Sequence, residues 1–171
     1  MVNARECFRI LSVFIFGGIF IVGGSAYSQT KAMTTDEMVG RSDIVAVGKV
    51  SSMRSEWNSD RSRVVTRVMV SVDRYLKGEQ SQRSLVITVP GGEVDGVGEL
   101  YSHSATFKPN EDVVVFAERD ARGTLRVTGG SEGKLTVTED ARTGKHIVGE
   151  SELLEVFTTR VHAAIKAQTE K

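Results

Sequence analysis

Between Pro90 and Asn110 the chain carries Glu93, Asp95, Glu99, Tyr101 and His103, side chains whose types and spacing could do chemistry together. Loop carboxylates a few residues apart are the oxygen donors that calcium selects, and Asp95-Gly96 matches part of a calcium loop. The full D-x-D-x-D-G pattern is absent, however, and acidic loop residues are ordinarily just solvated, so no metal and no cofactor is assigned. Gly91, Gly92, Gly96 and Gly98 give the same stretch unusual backbone freedom. A structureless connection of roughly 20 residues is uncommon in a compact domain unless it is functional or disordered. The five residues are therefore the candidate ligand contacts, with Glu93, Asp95 and Glu99 as acceptors and Tyr101 and His103 beside them. The competing reading is that Val94, Val97, Leu100 and Phe107 tuck inward, making the stretch a distorted strand that closes the core.

Little else in the chain carries catalytic chemistry. The histidines are His103, His146 and His162, and none has a partner at a metal-ligand spacing such as i+4. His103 lies between Ser102 and Ser104, but adjacent residues seldom aim at each other, and a solvated loop is the simpler reading. His146 follows a turn and belongs at a strand edge, while His162 belongs on a helix surface. No phosphate loop, no G-x-S-x-G elbow and no paired zinc ligands occur. No catalytic residue is assigned, and the chain reads as a non-enzyme. Trp57, in a polar stretch, reads as a rim residue closing the sheet rather than as a binding platform.

Charge and the N-terminus bound the setting. The chain has 22 basic and 22 acidic residues, so no strongly basic field exists to hold nucleic acid. Arg5 and Arg9 precede an uncharged apolar run from Ile10 to Val22, followed by small residues around Ala26 and Ser28. That is the layout of an export signal, residues 1–28, cleaved after Ser28. The rival is an uncleaved N-terminal anchor, for which the strongly apolar part is shorter than the ~20 residues of a spanning helix. Cleavage also removes Cys7, the only cysteine. The mature part, 29–171, then has no disulfide, thiol nucleophile or cysteine-held metal and must rely on one hydrophobic core. The expected location is outside the cytoplasm, periplasmic or secreted, with no stable membrane insertion after cleavage.

The elements that position the candidate loop are strands. From Val64 to Leu76 the even positions are mostly apolar and the odd ones mostly polar, the period of a strand with one face in a core. Leu85, Ile87 and Val89 share one parity until Pro90, which has no N–H for a ladder. Ile44–Val50 is the first strand, with Gly48 marking a bulge or bend, and Arg54–Arg61 is expected to be a hairpin loop. Val113–Ala117 is a continuous apolar strand, expected to be central. Shorter strands follow at Thr124–Thr128, around Leu135 and Val137, and around Ile147 and Val148. Thr34-Thr35-Asp36-Glu37 is a capping box opening a short helix to about Gly40. At the C-terminus Leu154, Phe157, Val161, Ala164 and Ile165 recur at helical spacing, predicting an amphipathic helix over about 151–167 capped by Ser151. Roughly six or seven short strands with few helices describe a mainly β domain, a small antiparallel sheet curled on itself.

The segments SDIVAVGKV, TRVMVSVDRYLKG, LVITVPGG, FKPNEDVVVFAERD and GTLRVTGGSEGK resemble a group of uncharacterised exported bacterial proteins with an OB-like β-barrel. Here Asn110-Glu111-Asp112 stands where those proteins carry a Gly-Glu strand start. The layout is also distantly similar to tissue inhibitors of metalloproteinases and netrin-like domains. The resemblance implies a small OB-like antiparallel β-barrel with a short N-terminal helix and a C-terminal amphipathic helix. It carries no functional residue, because the inhibitors hold zinc through an N-terminal cysteine that the mature chain lacks. The expected function is an exported, non-catalytic binding or interaction module for a protein or small ligand in the cell envelope. The alternatives are an inhibitor of an extracellular protease and a hydrolase with an unrecognised site.

Overall fold

The computed structural model describes residues 32–78 and 81–170. The export signal assigned to residues 1–28 lies outside the described residues. Helix α1 (Thr35–Arg41) starts at its capping box: the Thr34 hydroxyl accepts from Glu37 N at 3.2 Å, and the Glu37 carboxylate accepts from Thr34 N at 2.8 Å. Met38 and Val39 are buried by the turn that follows.

Strands β1 (Ile44–Trp57) and β2 (Val64–Lys77) pair antiparallel along their length. In β2 the alternation holds: Val64, Thr66, Val68, Val70 and Val72 are buried, while Arg67, Met69, Ser71 and Asp73 are exposed. β1 runs on to Trp57, so residues 54–57, expected in a hairpin loop, are strand instead. Their polarity marks the end of the core and not of the strand, because ladder hydrogen bonds need no apolar side chain. The bend expected at Gly48 is present. The β1–β2 register shifts between Val47 and Gly48, and a Cβ at Gly48 would lie 2.1 Å from the Ser71 carbonyl oxygen.

β3 (Ser84–Pro90) pairs with β2, and a small hairpin of β4 (Gly92–Val94) and β5 (Val97–Glu99) follows it. β6 (Asp112–Arg119) is central, between β1 and β8 (Lys134–Glu139), and also pairs with β7 (Leu125–Val127). β9 (His146–Val148) and β10 (Glu152–Leu153) extend the sheet, giving the order β10-β9-β8-β6-β1-β2-β3. Every pairing is antiparallel. Among the described residues the hydrogen-bonded path is open, with β3 and β10 at its ends. β3 lies beside β7 without a ladder between them.

The two sheet faces carry separate cores. One gathers Ile44, Val50, Val68, Ile87, Phe107, Val113 and Leu125 inside the curl of β1, β2, β3, β6 and β7. The other gathers Val45, Val47, Val114 and Phe116 under α1 and helix α2 (Leu154–Thr169). Phe157, Val161 and Ala164 supply the buried stripe of α2, and the Phe157 ring meets Phe116 edge-on, centroids 6.2 Å apart. Ser151 does not cap this helix. Glu152 and Leu153 pair with Val148 and Ile147, so these residues belong to the ladder, and α2 begins only at Leu154. Among the described residues no helix is long and apolar enough to cross a membrane.

Candidate functional site

The stretch after Pro90 is ordered by its glycines. Gly91 N donates to Val64 O at 2.9 Å, and the buried Thr66 hydroxyl donates to Gly91 O at 2.7 Å. That leaves the Ser55 hydroxyl to donate to Thr66 Oγ1 at 3.0 Å. Gly92 has φ 134, and a Cβ there would lie 2.4 Å from Ser55 Oγ and 2.5 Å from Thr66 Oγ1. Only glycine combines that backbone angle with so close an approach. The hairpin is thus seated on β1 and β2 by backbone and hydroxyl contacts.

Asp95 (φ 53) and Gly96 (φ 77) make its two-residue turn, the positive-φ pair that type I′ hairpins require. Asp95 is therefore a turn residue at an exposed tip. Glu93 pairs with Gly98 and Glu99 with Gly92, which places the two glutamates on opposite faces of the hairpin. The structure does not bring the three carboxylates together. Among the described residues no group of three His, Cys, Asp or Glu side chains could hold a metal ion. His103 is exposed in a turn with φ 63, and its carbonyl accepts from Ser131 N at 2.8 Å. It is fixed through its backbone, beside Gly130, where a Cβ would lie 2.2 Å from that carbonyl oxygen. His146 is exposed on β9 and His162 on α2.

Two of the five candidate residues do meet, and a third side chain joins them. Tyr101 donates its hydroxyl hydrogen to Glu99 Oε2 at 2.7 Å and accepts from Arg63 Nη1 at 2.8 Å. The Arg63 guanidinium also lies 5.7 Å from the Tyr101 ring centroid. Both hydrogen bonds have an ionised partner, which makes them the stronger kind. The hydrogen bond to Tyr101 pushes Arg63 above an ordinary value that already keeps it charged, with Glu99 adding to the effect.

This chain of side chains frames an exposed leucine. Leu100 is 99% exposed, and Val97 on the same hairpin is 45% exposed. Leu100, Tyr101, Glu99, Arg63 and Ser62 line an open basin of about 500 Å³. A neighbouring groove of about 160 Å³ runs between Leu100, Tyr101, Pro90 and Phe107. Phe107 and Ala105 are buried and Val94 is half-buried, so the inward-packing reading holds for those residues and fails for Val97 and Leu100. An apolar side chain in water beside a locked arginine and an aromatic ring can do no bond chemistry, but it is suited to contact.

Below the rim, Glu111 and Lys134 form an ion pair with side chains only 11% exposed. Thr136 donates to Glu111 Oε1 at 2.7 Å, Lys108 N donates to Oε2 at 3.0 Å, and the Lys134 ammonium lies 5.7 Å from the Phe107 ring centroid. Burial pushes the Glu111 carboxyl up, but its bonds from Lys134, Thr136 and Lys108 outweigh that and hold it below its ordinary value. Its acceptors are taken, so the cluster ties β8 to the strand entry and is not a free acid.

The sequence reading omits Arg63 from the site and turns Leu100 inward. Tyr101 two residues after Glu99 offers a ring and an acceptor to a cation, but which cation arrives depends on where β2 begins. No protein-family model and no curated protein matches the chain.

Proposed function

We propose that this chain is an exported, non-catalytic binding module that engages a protein partner of the cell envelope through the rim around Leu100. The observation that carries the reading is Leu100 itself, fully exposed yet held beside the Arg63–Tyr101–Glu99 chain. Binding hot spots concentrate tyrosine, arginine and apolar anchors that lose water on contact. A seat already ordered before contact lowers the entropy cost of binding.

The scaffold is proposed to be a small OB-like barrel. Supporting this are the bend at Gly48, the placement of β3 beside β7, and one continuous core inside the curl. Side-chain packing, rather than a ladder, would then complete the closure between β3 and β7. Export rests on the basic start, apolar run and small-residue site of residues 1–28. An intact mass beginning at Gln29 is expected for the exported protein, and a retained Met1 would contradict cleavage.

A narrower version is an inhibitor that presents Leu100 to an extracellular protease, favoured by the rigid hairpin seat beneath an exposed side chain. Capture from an envelope extract tests the general reading. The native protein should retain a discrete partner, and an Arg63→Gln, Leu100→Ser variant of unchanged melting temperature should not. Equal retention by both would remove the rim from the account. Titration against a panel of exported proteases then separates inhibitor from other binder.

A further inference from the structure

A second cavity, of about 260 Å³, lies at the start of α2 and is lined by Arg74, Gly144, Lys145, His146, Leu153, Leu154 and Glu155. Its cations come from separate elements: Arg74 from β2, Lys145 from the turn before β9, and His146 from β9 itself. None of these three side chains has a hydrogen-bond or ion-pair partner among the described residues. Elsewhere cations are used internally: Arg67 on Glu56, Arg126 on Asp120, Lys134 on Glu111 and Arg160 on Glu152. A surface that satisfies those cations and leaves three converging on one cavity has donors to spare there. Glu155 is the carboxylate among the lining residues and does not balance Arg74 and Lys145.

We infer that this cavity binds a phosphate monoester. Arg74 and Lys145 are permanently charged and together match a dianion, whereas a carboxylate would leave one of them uncompensated. Arg74 offers a planar fork of donors suited to tetrahedral oxyanions, and Lys145 a point charge. His146 offers a ring N–H in either protonation state. The cavity also adjoins the first turn of a 16-residue helix whose N-cap, Leu153, has no side-chain acceptor. The N–H groups of that turn add positive potential to a site already defined by its side chains. Leu153 and Leu154, both half-buried, supply an apolar wall for whatever carries the phosphate. That carrier is a soluble phosphorylated compound or the headgroup of a phosphatidic-acid type lipid, which share the same terminal chemistry.

The test uses the full-length chain expressed with its leader and purified after export. Inorganic phosphate is titrated while backbone amide resonances are followed, and phosphatidylcholine vesicles with and without phosphatidic acid are tested by co-sedimentation. Saturable shifts confined to residues 144–146 and 153–156, weakened about tenfold or more in Arg74→Gln, Lys145→Gln, support the site with a soluble ligand. Sedimentation only with phosphatidic acid vesicles, lost in the same variant, supports it with a lipid ligand. Because these side chains are exposed, the variant is expected to melt like the native protein. Should it not, the shift map of the native chain still decides. Absence of binding to either probe, shifts spread over other basic residues, or binding unchanged in a folded variant would overturn the assignment.

Discussion

The two helices and the β4–β5 hairpin both flank the sheet, and they are held to it by different chemistry. On the helical side the seal is apolar. Met38, Val39, Phe157, Val161 and Ala164 are almost fully buried against Val45, Val47, Val114 and Phe116. The polar contacts there reinforce the seal: Lys77 donates to Val39 O at 2.6 Å, and Arg160 pairs with Glu152 while lying 5.2 Å from the Phe157 ring centroid. On the hairpin side the seat is made by two glycines and two hydroxyls, and the apolar side chains Val97 and Leu100 point away from it. A lid that spends its apolar residues inward is complete in itself. A hairpin fixed by backbone contacts can leave its apolar residues for something else, and that difference is why the rim, and not the helix face, is read as the working surface.

The contrast is broken most forcefully at Phe157. Phe157→Ala should cost about 3–5 kcal/mol in denaturant unfolding, because a ring is lost from a sealed core. Leu100→Ala should change stability by less than about 0.5 kcal/mol, since that side chain is already in water. Equal costs at the two positions would erase the distinction between the regions.

Next comes the polar tie beneath the rim. Glu111→Gln should destabilise by about 1–3 kcal/mol, because Lys134 loses its ionised partner in a mostly buried site. The folded Glu111 carboxyl lies below its ordinary value, so its contribution is present at neutral pH and is lost as pH falls through the folded value. The native protein should therefore lose stability on acidification more steeply than Glu111→Gln, as read by melting temperature across that acid range. Parallel acid profiles would show that Glu111 is not the group responsible.

Smaller still is the hairpin seat. Gly92→Ala should cost about 1–3 kcal/mol, from the strained φ and the collision with Ser55 and Thr66. Gly98→Ala, on the same hairpin with nothing within 4 Å, should be close to neutral. If both were neutral, the hairpin would not be seated by close approach.

What the sequence makes legible follows from the same physics. The β2 alternation and the Thr34–Glu37 box are read correctly because each is a local pattern with one dominant cause. The second half of β1 escapes because its residues are polar and only its backbone is used. Ser151 misleads because a two-residue ladder with β9 competes for the same residues that a helix cap would use. Asp95-Gly96 carries two signals at once, and the type I′ turn between Val94 and Val97 is the one that folding uses. Arg63 is out of reach of local reading, since 38 residues separate it from Tyr101. Leu100 is out of reach for a different reason: whether an apolar residue finds a core depends on how its hairpin is seated.

The most direct test of the rim places a photoactivatable side chain at position 100 and, separately, at position 156. Leu100 is on the rim, and Val156 is an exposed apolar residue of α2, 54% accessible. In the cell envelope, position 100 is expected to cross-link one discrete protein and position 156 is not. No cross-link from position 100, or the same product from both positions, would contradict the assignment of the rim as the binding surface.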